Sequence, residues 1–308
     1  MTDTETFEIA IDGGLGNQLF KFYAGLYFSE KFNLQPVFEI SRLADVANLH
    51  PGENIQTLGL LKGYSTKSKQ VNTPREIILR LHNSYSRRKS EFVSKSLSES
   101  ENQKRFEIGY IEISQEMNLS NLKNCYFQSW RYFDGLTTKP RISLQSLSKP
   151  TKWLEEQLSL LAKIDPLVFH VRRGDYQLKK NKQLGCLSLD YYLSIANKIS
   201  ETNEIWLFTD SPNEVRDEFK NSGRKIRIIE PPSNSDPVES MILMSHSSRI
   251  IISNSTFSWW AAKFAQPGTS VYAPSKWFER RPDPTDLIPS TWERVDSLWV
   301  TEENFREY

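Results

Sequence analysis

The second half of the chain alternates short apolar runs with helical segments, and that rhythm restricts the fold more than any other feature. Apolar runs stand at residues 167–171, 205–208, 226–229, 250–252 and 270–272. Two of the intervening segments open on helix-start signals, Ser211-Pro212-Asn213-Glu214 and Asp236-Pro237-Val238-Glu239. Each offers a capping side chain, then Pro at the first helical position, then Glu two residues on. Strands alternating with helices predict an α/β fold with a parallel, doubly wound sheet. Ligands of such sheets bind beyond the carboxyl ends of the strands.

The first half begins the same way. Residues 7–12 read as a strand running into Gly13-Gly14-Leu15-Gly16, after which Leu19, Phe20, Tyr23, Leu26 and Tyr27 recur at helical spacing. Residues 37–40 and 125–128 read as further strands. The polar stretch 62–103 reads as surface helices and loops, and 143–151, rich in Ser, Leu and Lys and containing Pro150, as a linker. Two domains are expected, 1–150 and 151–308, with the last residues packing back on the first.

Composition narrows the function classes. Lys plus Arg number 39 against 38 Asp plus Glu, so the basic excess of a nucleic-acid binder is missing. Arg75, Arg80, Arg87, Arg88 and Lys89 stand among Glu76, Glu91, Glu99 and Glu101 and read as a solvated surface. No apolar run reaches the roughly 20 residues a membrane span needs, and the first residues lack the pattern of a signal peptide. A cytoplasmic location is expected, with peripheral membrane contact open. Cys125 and Cys186 lie far apart and read as buried thiols; Trp259 and Trp260 read as core.

The polar motifs sit where the strands end. His170-Val171-Arg172-Arg173-Gly174-Asp175-Tyr176 follows the first strand of the second half. Guanidinium groups stay charged and grip phosphate oxygens through paired donors, so an anionic ligand is one reading. A salt bridge such as Arg173 with Asp175 is the other. Asp12-Gly13-Gly14-Leu15-Gly16-Asn17-Gln18 offers glycines for close backbone approach and a helix start, without the full dinucleotide fingerprint. Ser253-Asn254-Ser255-Thr256-Phe257-Ser258 places more small polar residues at a helix start than an N-cap requires, which suits an anion cradle. Asp210, at the end of another strand, could accept from a base or a ribose. There is no Asp-x-Asp, and His50, His82, His170 and His246 show no metal-ligand spacing. A diphosphate would therefore have to be neutralised by arginines and helix ends.

These segments resemble the alpha-1,2-fucosyltransferases and, more distantly, the alpha-1,6- and protein O-fucosyltransferases. The likeness runs in order through residues 9–20, 126–133, 170–176, 187–192, 253–260, 273–278 and 288–292, and the H-x-R-R-x-D and N-S-T-F-S-W-W motifs are its most specific parts. It implies a GT-B architecture of two Rossmann-like domains and a metal-free, inverting transfer of fucose from GDP-fucose, with no cofactor. The acceptor it implies is a glycan or a lipid-linked oligosaccharide, at O2 of a galactoside. Carried over residue by residue, it puts Arg172 or Arg173 on the β-phosphate and Ser255, Thr256, Phe257 and Ser258 along the diphosphate, with His170 and Asn254 as further donor-binding candidates. Asn17 reaches in from the opposing domain, with Gly14 and Gly16 as donor-binding candidates beside it. The family's guanine-reading acid is expected just before Met241; Ser240 stands there and Glu239 one position earlier, which makes Glu239 the candidate. Asp175 is the candidate general base, with orientation of Arg173 as its alternative role. A non-catalytic nucleotide-sugar or glycan-binding module would need the same phosphate cradle and is the rival class.

Overall fold

The structure is a computed structural model that describes residues 5–43, 54–68, 109–112, 122–142, 146, 150–199 and 204–306. Two parallel sheets organise them. The first has the order β1 (Thr6–Ala10), β2 (Gln35–Glu39), β3 (Ser65–Lys67), with Ile9 opposite Phe38 and Phe38 opposite Thr66. Between β1 and β2 runs α1 (Leu15–Phe32), in which every residue from Gln18 to Phe28 is buried. A helix covered on all sides must have neighbours on all sides, and α1 has the first sheet behind it and the second half of the chain in front.

The second sheet holds β4 (Leu167–Val171), β5 (Glu204–Thr209), β6 (Lys225–Ile228), β7 (Arg249–Ile251), β8 (Ser270–Pro274) and β9 (Glu293–Val295). Its spatial order is β6-β5-β4-β7-β8-β9, and all pairings are parallel. The chain winds outward one way through β5 and β6, then returns to start again at β7 on the other side of β4. That reversal makes the carboxyl ends of β4 and β7 the switch point at which doubly wound sheets bind ligands. The helices are α2 (Trp130–Asp134) in the first half and α3 (Lys152–Ile164), α4 (Leu189–Lys198), α5 (Pro212–Phe219), α6 (Pro237–Ser245) and α7 (Thr256–Lys263) in the second.

Side chains on β4 alternate between two cores, as the strand period requires. Leu167, Phe169 and Val171 join Tyr191, Ile195 and Val215 on one face, and Val168 joins Trp206, Phe208 and the core that continues into the first half. The joint between the halves is aromatic. Phe20 of α1 lies 4.5 Å from Trp259 and 4.9 Å from Trp260, and Tyr23 stacks on Trp260 at 4.8 Å. Trp259 and Trp260 are fully buried, as the sequence predicts, and Cys125 and Cys186 are buried thiols.

Three expectations are corrected. Residues 125–128 form no strand: Phe127 has φ 55°, a left-handed turn that leads into α2. Ser211 does not cap α5 with its side chain but accepts from the Gly174 N–H at 3.3 Å, whereas Asp236 caps α6 as predicted, accepting from Val238 N at 2.9 Å. The last described residues, 300–306, run along the second half rather than the first, with Val300 N donating to Cys186 O and Arg306 bridged to Leu178. Residues 69–103 of the polar stretch, with the basic cluster, and most of the linker at 143–149 lie outside the described residues.

Candidate active site

His170 is the last but one residue of β4 and faces the switch point. Its Nδ1 shares a 2.8 Å hydrogen bond with Ser253 Oγ, just after β7, and so ties the two strand ends together. Burial, helped by the nearby Arg172 charge, pushes its pKa down to about 3, so the ring is neutral.

Arg172 projects from the end of β4 over the Tyr176 ring, 5.3 Å from its centroid. Asp210, at the end of the neighbouring β5, holds it at 2.9 Å, and Asp175 pairs with its other terminal nitrogen. Burial works against this charge, but the two carboxylates outweigh it and raise the pKa above the ordinary arginine value. The Arg172 Nε is buried without a hydrogen-bond acceptor. An orphaned guanidinium donor at a switch point is a place for an incoming anionic oxygen.

Arg173 does not share this role. Its side chain is fully buried, pairing through Nε and Nη2 with the Glu218 carboxylate at 2.8 and 2.5 Å. Its Nη1 donates to the carbonyls of Arg172 and Leu187 at 3.0 and 2.9 Å. Of the expected pair, one arginine faces the site and the other braces the loop behind it. The expected Arg173–Asp175 bridge is replaced by Arg172–Asp175, so Asp175 acts on the half-buried Arg172 guanidinium. Asp210 also turns inward, its second oxygen accepting from the Arg173 amide at 2.9 Å. Gly174, at φ 35°, sits against that carboxylate, where a Cβ would come within 2.4 Å of it.

Other expected ligand contacts are spent within the protein. The Asn254 side-chain amide donates to the carbonyls of Leu184, Gly185 and Trp277, while the Asn254 backbone carbonyl accepts from Tyr176 Oη. Ser258 is buried, its hydroxyl donating to Ser255 O at 3.1 Å. Glu239 takes both the N–H and the hydroxyl of Thr151, at 2.8 and 2.7 Å, which fixes the start of α3 against α6. Gly16 abuts α7: a Cβ there would lie 2.5 Å from the Thr256 carbonyl carbon, and its own carbonyl accepts from Trp260 Nε1. Gly16 thus serves the joint between the halves rather than a ligand. Gly14 caps α1 through its backbone, and Asn17 accepts from Gln128 Nε2 at 3.0 Å.

What remains open at the site is the first turn of α7. Ser255 is its N-cap and spends no side-chain hydrogen bond on the cap. The amides of this turn have no partner within the helix, and the helix dipole makes them attractive to anions. Phe257 stands 5.9 Å from the His170 ring, and both line a cavity of about 170 Å³ with Phe208, Thr209, Ser235 and Ser240. Ser240, rather than Glu239, is the residue that reaches this cavity. A cavity of about 290 Å³ lies at the opposite, amino ends of the strands, beside Asp165, His246 and Gly268, and none of the motif residues lines it.

Three features of the joint are not readable as motifs. Lys21 is a buried lysine on α1, bound to Ala10 O at 3.0 Å and to Asp12 at 2.5 Å, with Arg42 on the other Asp12 oxygen at 2.8 Å. Burial lowers the Lys21 pKa against the pull of Asp12. Gln128 follows the left-handed Phe127, and Arg281 sits half-buried on the loop after β8. No helix among the described residues is long and apolar enough to cross a membrane.

Comparison with known proteins shows the family of the chain. The profile of glycosyl transferase family 11 matches residues 118–282, more than half of the chain, including the H-x-R-R-x-D loop and α7. The chain belongs to glycosyl transferase family 11. It is a glycosyltransferase, of the alpha-1,2-fucosyltransferase family that its motifs resemble. An alpha-1,2-colitosyltransferase of Escherichia coli is 26% identical over 92% of this family 11 chain and 97% of its own. A galactoside 2-alpha-L-fucosyltransferase of Caenorhabditis elegans is 23% identical over 55% of this chain and 51% of its own. The fucosyltransferase NodZ from Bradyrhizobium superposes with a TM-score of 0.42 at 12% identity, covering 86% of this chain and 94% of its own.

Proposed function

We propose that this family 11 enzyme moves L-fucose from GDP-fucose to O2 of a galactoside within a glycan acceptor, with inversion and without a metal ion. The observation that carries the donor half is the orphaned Nε of Arg172 at the switch point, beside the uncapped first turn of α7. As the glycosidic bond to the diphosphate breaks, negative charge grows on the β-phosphate. A guanidinium held in place by Asp210 and Asp175, with the amides of Thr256 and Phe257, meets that charge without reorganising. The small cavity between Phe257, Phe208 and Ser240 has room for one planar ring system and suits the base.

The acceptor hydroxyl attacks the anomeric carbon from the face opposite the diphosphate, so the configuration inverts. Asp175 supports Arg172 more directly than it supports proton transfer, because its carboxylate already faces a guanidinium. The alpha-1,2 linkage rests on the names of the two relatives above. The same names favour one second reading, a colitosyl donor, since the colitosyltransferase matches nearly the whole chain. Metal independence rests on Arg172 and α7 in place of a carboxylate-held cation, and activity is expected to survive excess EDTA. The test is nuclear magnetic resonance of the product made from GDP-fucose and a β-galactoside. An α-anomeric signal coupled to a shifted O2 position supports the reading, and a β-anomer or another linkage overturns it.

A further inference from the structure

We propose that Arg281 supplies the second positive charge of the donor diphosphate site, a charge that Arg173, turned into the interior, does not provide. This rests on the reading of the enzyme as a GDP-sugar transferase. The charge balance around Arg172 is the starting point. Its guanidinium faces two carboxylates, Asp175 and Asp210, so this trio carries a net charge of about −1 before any ligand arrives. Arg173 adds nothing outward, because Glu218 neutralises it in the interior. A diphosphate would meet a site lacking net positive charge.

Arg281 corrects that deficit. Among the described residues no carboxylate lies within ion-pair distance of its guanidinium, which is held 4.5 Å from the Phe278 ring centroid. The neighbouring Asp283 is occupied by the amides of Trp277 and Phe278, at 2.9 Å. The loop leaves the carboxyl end of β8, on the ligand side of the sheet, and is tied down on the residue before Arg281. There Arg280 N donates to Gln183 O, and Glu279 N to Leu184 O. Asn254, the residue just before the α7 cap, grips the Trp277 carbonyl from the same side and accepts from Tyr176 Oη. Tyr176 is thus the common neighbour: Arg172 lies over its ring, and the Arg281 charge is felt at its hydroxyl and at that of Tyr126 in the first half. Burial lowers the pKa of Arg281, and only these two phenols pull it back. A half-buried cation without a counter-ion gains from an anion that arrives with the substrate.

The experiment titrates GDP and inorganic pyrophosphate into the parent enzyme, Arg281→Gln and Arg281→Lys, with thermal melting of each as a check on folding. Loss of one charged contact predicts about 10- to 100-fold weaker binding of both ligands by Arg281→Gln, with partial recovery in Arg281→Lys. The KM for the donor rises with it, and the KM for the acceptor does not. Unchanged affinity for both ligands in a folded Arg281→Gln enzyme overturns the proposal, and so does a rise confined to the acceptor KM. Pyrophosphate separates this from the base assignment. A parent that binds pyrophosphate but not GDP sinks the GDP reading while Arg281 is still judged by pyrophosphate, and a parent that binds neither sinks both.

Discussion

The two adjacent arginines should fail in opposite ways when they lose their roles. Glu218→Ala leaves the Arg173 guanidinium, fully buried, with no counter-charge and two unmet donors. Breaking one side of a buried pair costs about 3–5 kcal/mol. With a urea dependence of about 2 kcal/mol per molar, the unfolding midpoint should fall by roughly 1.5–2.5 M. Arg172→Ala removes a partly exposed pair whose carboxylates can turn to water, so its cost in stability should stay under about 1 kcal/mol. Its turnover, though, should drop by about 100- to 1,000-fold, the size of a lost oxyanion contact. Urea melts and initial rates on both variants, with Arg173→Ala beside them, decide the matter. An Arg173→Ala enzyme as stable as the parent but as inactive as Arg172→Ala would refute the division of labour.

Gly16→Ala should push α1 and α7 apart, since the new Cβ would meet Thr256 backbone at 2.5–2.6 Å. A loss of about 1–3 kcal/mol with weaker GDP binding is expected, and a melt and GDP titration matching the parent would refute the close joint. His170 should make stability pH-dependent. Its folded pKa lies near 3 against 6.5 unfolded, so its contribution is complete above about pH 6.5 and falls away as pH drops towards 3. Between pH 6.5 and 4.5 the slope should approach about 1.4 kcal/mol per pH unit, and His170→Gln should flatten it; an unchanged slope in that variant would contradict the neutral buried ring.

The second sheet was legible because its first five strands carry short apolar runs separated by helical segments. β3 was hidden because Ser65-Thr66-Lys67 is exposed on all three residues and carries no pattern, and β9 because Glu293-Arg294-Val295 has a single apolar residue. Residues 125–128 mimic a strand in composition, but the left-handed Phe127 decides otherwise through contacts around it. At the site, the motifs lead to the right loops and not to the right side chains. Arg172 and Arg173 lie just past the end of β4, where Arg172 meets Asp175 and Asp210 and Arg173 meets Glu218. Which of them turns inward depends on Glu218, far along the chain on α5. Glu239 looked like a base reader by its place two residues before Met241, and only the cap of α3 reveals that Thr151 uses it. Arg281 carried no motif, because its significance lies in its having no carboxylate within ion-pair distance among the described residues, a property of three dimensions.

The central claim is that the switch point of the second sheet holds a GDP-sugar and that the enzyme transfers its fucose. The direct measurement is initial rates with GDP-fucose, GDP-mannose and UDP-galactose as donors, on one β-galactoside acceptor, in the parent and in Arg172→Ala. The account predicts kcat/KM at least about 10-fold higher for GDP-fucose than for either alternative, as expected where pocket contacts select the donor, and collapse of that rate in Arg172→Ala. Preference for the UDP-sugar, or an Arg172→Ala enzyme that transfers fucose at the parent rate, would contradict it.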